Sequence, residues 1–181
     1  FDAFERARKC GFDNINTDLI AGLPTDTPES FKNSLDSIVR LNAECITVHT
    51  LCMKRASRLT TEGVTLDLQQ ARDAREMLAY TQNILGQNEY IPYYMYRQSR
   101  MVGNLENVGW SKKGFESLYN VYVMDETHTI LACGSGGVTK LKRNNPDYLE
   151  RIFNFKYPYE YIDRFDELIQ RKSGIMQFYG Q

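Results

Sequence analysis

The segment Asn14-Ile15-Asn16-Thr17-Asp18-Leu19-Ile20-Ala21-Gly22-Leu23-Pro24, followed at once by Thr25-Asp26-Thr27-Pro28-Glu29, constrains this chain more than any other. Its side chains alternate: Ile15, Thr17, Leu19 and Ala21 share one face, and Asn16, Asp18 and Ile20 share the other. That period predicts a strand over about 14–22 that ends in a Gly-Pro loop and feeds a helix. Thr27 is a good N-cap, Pro28 suits the first helical position and Glu29 complements the helix dipole. Phe31, Leu35, Ile38 and Val39 then recur as a buried stripe, with Asn42 as the stop. Asp18 is a carboxylate in mid-strand among apolar residues, and burying such a group is costly unless something pairs with it. Two readings stand on pattern alone: a contact for a polar ligand such as a pair of ribose hydroxyls, or an acid paired with a neighbouring Arg or Lys.

A second strand is expected over about 45–51 (Cys45-Ile46-Thr47-Val48-His49-Thr50-Leu51). Strand, helix and strand in so short a span predict a βαβ unit with parallel strands. Ligands of such sheets sit at the carboxyl ends of the strands, so Asp18 and the loop 51–59 border one cleft. A long helix over about 67–85 follows, with Ala71, Ala74, Leu78, Thr81 and Leu85 at helical spacing and Gly86 as its cap. The α/β rhythm then ends. Pro92-Tyr93-Tyr94-Met95-Tyr96-Arg97-Gln98 reads as extended and aromatic. Leu118 to Met124 alternates and predicts an antiparallel hairpin with Thr129 to Cys133 across residues 125–128. Helices are expected near 146–152 and 158–172. The fold class is α/β, divided into a parallel α/β part at 1–90 and an α+β part at 91–181.

With 181 residues, 42% of them hydrophobic and 25% charged, and a net charge of −1, the chain can bury a core but offers no argument for a nucleic-acid surface. No apolar run approaches the roughly 18 residues of a membrane span, and no secretory pattern is present, so the cytoplasm is the expected location. Cys10, Cys45, Cys52 and Cys133 are scattered, which argues against a disulfide framework and a self-contained metal site. Phe1 to Cys10 already reads as a helix ahead of Gly11, with no capping residue before it, as expected of the C-terminal part of a longer protein.

Among the remaining candidates, Gly134-Ser135-Gly136-Gly137 resembles a phosphate loop but lacks the dinucleotide spacing, and a plain glycine turn fits as well. His49 on its strand reads as a hydrogen-bonded core residue before it reads as a metal ligand, and His128 falls in a turn. The run from Tyr93 to Trp110 is the densest polar and aromatic stretch; its aromatics and Arg could stack on a flat ligand or hold its carboxylates, or it could be a connector whose Asn and Glu cap loops. Arg55, Arg58, Lys112, Lys113, Lys140, Lys142 and Arg143 read as solvated.

Asn16-Thr17-Asp18-Leu19-Ile20-Ala21-Gly22-Leu23-Pro24 with Thr27-Pro28-Glu29-Ser30-Phe31 resembles a segment of radical S-adenosylmethionine enzymes of the oxygen-independent coproporphyrinogen III oxidase type. Tyr93-Tyr94-Met95-Tyr96-Arg97-Gln98 and Gly103-Asn104-Leu105-Glu106-Asn107-Val108-Gly109 are similar to a coproporphyrinogen dehydrogenase branch. The resemblance covers essentially the whole chain. It implies the last part of a partial (β/α)6 barrel, with the two strands as its fifth and sixth, and a C-terminal extension. It implies S-adenosylmethionine and a 4Fe-4S cluster on a C-x3-C-x2-C loop, whose radical chemistry converts coproporphyrinogen propionates to vinyl groups with the help of an electron donor. It places Asp18, Cys52 and Val138 at the cofactor, and a substrate with four propionates makes Arg97 and Arg100 candidate partners. None of the four cysteines forms the cluster motif, so this piece alone is expected to be inactive. A haem-binding chaperone of the same family is the alternative, with His49, Cys52 and Met53 as candidate axial ligands.

Overall fold

A computed structural model describes residues 1–53, 67–98, 101–145 and 147–180. They form two compact units, Phe1–Ser117 and Leu118–Gln181. The division falls later than the expected one at 90–91, because two strands beyond residue 90 complete the sheet of the first unit.

In the first unit, helix α1 (Asp2–Lys9) precedes strand β1 (Asn16–Ala21), helix α2 (Pro28–Leu41) and strand β2 (Cys45–Thr50). The strands are parallel, with Asp18 beside Thr47 and Ile20 beside His49, as the βαβ reading requires. The start of α2 is fixed by local chemistry: Thr27 Oγ1 accepts from the Ser30 amide at 3.1 Å, Ser30 Oγ accepts from the Thr27 amide at 2.9 Å, and Pro28 occupies the first turn. Asn42 ends it in the left-handed conformation, at φ 60°. Helix α3 (Leu68–Gln87) begins at a second capping box, Asp67 with Gln70, and runs through Gly86 to end at Asn88, whose side chain donates to the Ile84 carbonyl. Gly86 is therefore interior to the helix and not its cap.

Strand β3 (Tyr90–Tyr96) and strand β4 (Asn107–Lys112) follow, and β4 inserts antiparallel between β2 and β3 to give the order β1-β2-β4-β3. One face of this sheet carries α2 and α3. Phe31, Leu35, Ile46, Val48, Met77 and Leu85 are buried there with Tyr90 and Trp110. Tyr90 donates to the Ala43 carbonyl at 2.5 Å, and burial pushes its hydroxyl pKa up to about 12.

Where α1 meets the sheet, Arg8 donates to both Glu44 oxygens, at 2.6 and 2.7 Å, and the Ile15 amide donates to Oε2 at 3.0 Å. Burial alone would raise the Glu44 carboxyl; these hydrogen bonds outweigh it and hold the group below its ordinary value. A carboxyl depressed in the folded state stabilises above its unfolded pKa, and that contribution is lost as the pH falls through the folded value. Glu44→Gln is expected to cost about 1–2 kcal/mol at pH 7, and the deficit should shrink as the wild type is titrated below about pH 4. Urea unfolding read by Trp110, the chain's one tryptophan and a core residue, checks this. An equal deficit at both pH values would remove the ion pair as the cause.

In the second unit, residues 118–125 are helix α4 (Leu118–Asp125), not a strand. The expected partner, Thr129 to Cys133, bonds elsewhere: Ile130 and Lys140 exchange backbone hydrogen bonds at 2.8 Å in both directions. Alternation in so short a run did not exclude a helix, and α4 is tied down by Lys140 Nζ on the Val123 carbonyl and by Tyr122 stacked on His128. Residues 147–153 are strand β6 (Asp147–Phe153), not a helix; they pair along their length with β5 (Val138–Asn144). Asn144 pairs with Asp147 at the end of this hairpin. The expected helix at 158–172 is broken at Arg164, φ −113°, into α5 (Pro158–Asp163) and α6 (Phe165–Lys172), with α7 (Gly174–Tyr179) after them. Leu141, Ile152 and Phe178 form the core.

Candidate functional site

The face of the first sheet opposite α2 and α3 collects the polar side chains. On β1 it carries Asn16, Asp18 and Ile20; in register on β2 it carries Cys45, Thr47 and His49. Thr47 lies opposite Gly109 of β4, and Gly109 opposite Tyr94 of β3. A shift in register between Pro92 and Tyr94 brings Tyr94 and Tyr96 onto this face, with Tyr96 opposite Asn107. A Cβ on Gly109 would stand 1.8 Å from Tyr94 Cε1, so the tyrosine ring occupies the space a side chain would fill.

These groups form a continuous circuit. The Tyr94 hydroxyl lies 3.3 Å from Thr47 Oγ1, which donates to Asn16 Oδ1 at 3.1 Å. Asn16 Nδ2 donates to Asp18 Oδ1 at 2.6 Å, and Asp18 Oδ2 faces His49 Nε2 at 3.8 Å. The Tyr96 hydroxyl lies 3.4 Å from His49 Nδ1, and the Tyr96 ring runs parallel to Tyr94, centroids 6.3 Å apart, which closes the loop. Burial raises the Tyr94 hydroxyl pKa, and the Thr47 hydrogen bond offsets part of that.

The expectation of a buried Asp18 is corrected. Its side chain is 58% exposed, on the face the helices leave open, and no Arg or Lys pairs with it among the described residues. The Asn16 amide donates to Oδ1, and the rest of the group faces solvent. Such a carboxylate can accept two hydrogen bonds from a diol. His49 is engaged between Tyr96 and Asp18.

The other expected residues disperse. Cys52 forms an isolated β-bridge with Met101, just past the carboxyl end of β2. Arg97 is exposed just after β3. Val138, half-buried, opens β5 in the second unit, opposite Phe153. Arg100, Arg55, Arg58 and most of the loop 51–59 lie outside the described residues. Gly134 to Gly137 is a glycine turn: Asn154 Nδ2 donates to the Gly134 carbonyl at 2.8 Å, and the Gly136 amide to the Phe155 carbonyl at 2.7 Å. No three His, Cys, Asp or Glu side chains converge as metal ligands among the described residues.

The run 93–110 divides between the two readings. Tyr94 and Tyr96 face the site. Asn107 is a connector: its Oδ1 accepts from the Thr50 amide at 2.7 Å, while Thr50 Oγ1 donates to the Glu106 carbonyl. Trp110 belongs to the core on the helix side. Sequence reasoning missed Asn16, Thr47, Tyr94 and Tyr96 as a group. Alternation already put Asn16 with Asp18, but nothing local showed that β4 would seat Tyr94 beside Thr47.

No family model matches the chain. The fold is that of the solved structure of coproporphyrinogen III oxidase (HemN) from Escherichia coli, a radical S-adenosylmethionine enzyme, with a TM-score of 0.60 at 18% identity over 92% of this chain and 37% of that one. The chain thus has the fold of a part of that enzyme. The chain is similar to a part of oxygen-independent coproporphyrinogen III oxidase-like proteins. It is 36% identical to HemZ of Bacillus subtilis strain 168 over 176 residues, 97% of this chain and 35% of that protein. It is 30% identical to the haem chaperone HemW of Lactococcus lactis strain IL1403 over 154 residues, 80% of this chain and 36% of that protein. The chain spans about a third of the length of these relatives. No described helix is long and apolar enough to cross a membrane.

Proposed function

We propose that this chain supplies one wall of the cofactor pocket of a radical S-adenosylmethionine enzyme that oxidatively decarboxylates coproporphyrinogen III. The observation that carries the reading is the Asp18 carboxylate, held at Oδ1 by Asn16 and presented on the open face of the sheet. S-adenosylmethionine fits such a group, because its ribose diol offers two donors to a double acceptor. If bound there, S-adenosylmethionine would supply radical chemistry for hydrogen abstraction, and Asp18 with its neighbours would bind and orient it. Cys52 is proposed as a further contact of the cofactor. Arg97 and Arg100 are proposed to meet substrate propionates, and Tyr94 and Tyr96 add an aromatic surface at the same sheet. The 4Fe-4S cluster does not fit the cysteines present, two of them exposed and one buried beneath the sheet end, so no step is assigned to it in this chain.

A chaperone role has support in the likeness to HemW. The experiment is to reconstitute the cluster in the full-length protein, add S-adenosylmethionine and a reductant, and follow carbon dioxide release from coproporphyrinogen III alongside a haem titration. Decarboxylation supports the oxidase reading. Stoichiometric haem binding without decarboxylation overturns it in favour of the chaperone.

A further inference from the structure

An exposed carboxylate is a poor ligand contact unless its plane is fixed, because a free side chain loses rotamer entropy when it binds. Each oxygen of Asp18 has its own neighbour here. Asn16 Nδ2 donates to Oδ1 at 2.6 Å, and the Asn16 amide cannot turn over without losing the bond its Oδ1 accepts from Thr47 at 3.1 Å. His49 Nε2 faces Oδ2 at 3.8 Å, and Tyr96 touches the opposite ring nitrogen at 3.4 Å. Supporting groups of this kind orient a binding residue by limiting the arrangements open to its neighbours.

We propose that Asn16 and His49 are positioning residues that hold the Asp18 carboxylate in the plane a ribose diol requires, with Thr47 orienting Asn16 and Tyr96 orienting His49. The Tyr96 hydroxyl lies against Nδ1, and with that hydroxyl as the donor the ring proton would sit on Nε2, the nitrogen that faces Asp18. Asn16 shows its amide hydrogens to the carboxylate for the matching reason: its oxygen is committed to Thr47. This inference rests on the reading of Asp18 as a cofactor contact.

The test uses the full-length protein and calorimetric titration with two probes, S-adenosylmethionine and its 2′-deoxyribose analogue. Asn16→Leu and His49→Leu are each expected to weaken S-adenosylmethionine binding about fivefold and to leave the affinity of the 2′-deoxy analogue, which has lost a partner of Asp18, nearly unchanged. His49→Gln, which keeps a donor at the place of Nε2, should recover most of the loss. An equal loss for both probes would mean that the residues merely hold the sheet together, and it overturns the proposal. So does an unchanged affinity in both leucine variants while Asp18→Asn weakens binding. Unchanged binding in Asp18→Asn itself sinks the reading beneath.

Discussion

Gly109→Ala is expected to destabilise the first unit by about 2–3 kcal/mol. The new Cβ would fall 1.8 Å from Tyr94 Cε1, 2.3 Å from Cδ1 and 2.6 Å from Cζ, inside the ring's own volume. The ring cannot slide aside cheaply. Its hydroxyl is engaged with Thr47, and Tyr93 packs against it edge-on with centroids 4.8 Å apart. The methyl group must therefore push Tyr94 off β4 and break the circuit that reaches Asp18. Urea unfolding followed by Trp110 fluorescence reads the loss. In a Tyr94→Ala background the same substitution should cost much less, since the clashing partner is gone. Equal costs in both backgrounds would contradict the seating of Tyr94 on Gly109.

This same contact shows which parts of the molecule the sequence could disclose. The β1-α2-β2 unit was legible because every local signal agreed: alternation over 15–21, the Thr27 cap, Pro28 in the first turn and a stop at Asn42. The second unit misled where the signals were weak. Leu118 to Met124 alternates and yet coils, while 147–153 pairs with β5 across a short hairpin instead of coiling. For the site, Asp18 and its face could be read from β1 alone. Asn16 shares β1 with it, but Thr47 and His49 come from β2 and Tyr94 and Tyr96 from β3, and these meet only because β4 inserts between those strands with a glycine at the crossing point. Neither the order of strands nor the shift after Pro92 leaves a local trace.

The second large effect concerns Asp18. Asparagine keeps the size and the oxygen that Asn16 donates to, but it removes the charge and replaces the second acceptor with a donor. A diol that gives two hydrogen bonds to a carboxylate then keeps at most one, and that one is no longer charge-assisted. The expected loss is about 2 kcal/mol, roughly 30-fold in affinity. Stability should hardly move, because the side chain is 58% exposed and carries no buried partner among the described residues.

The most direct test of the account is therefore the dissociation constant of S-adenosylmethionine for the full-length protein, measured for wild type and Asp18→Asn under identical conditions. The account predicts binding roughly 30-fold weaker in the variant with an unchanged unfolding midpoint. Equal affinity in the two proteins would contradict it.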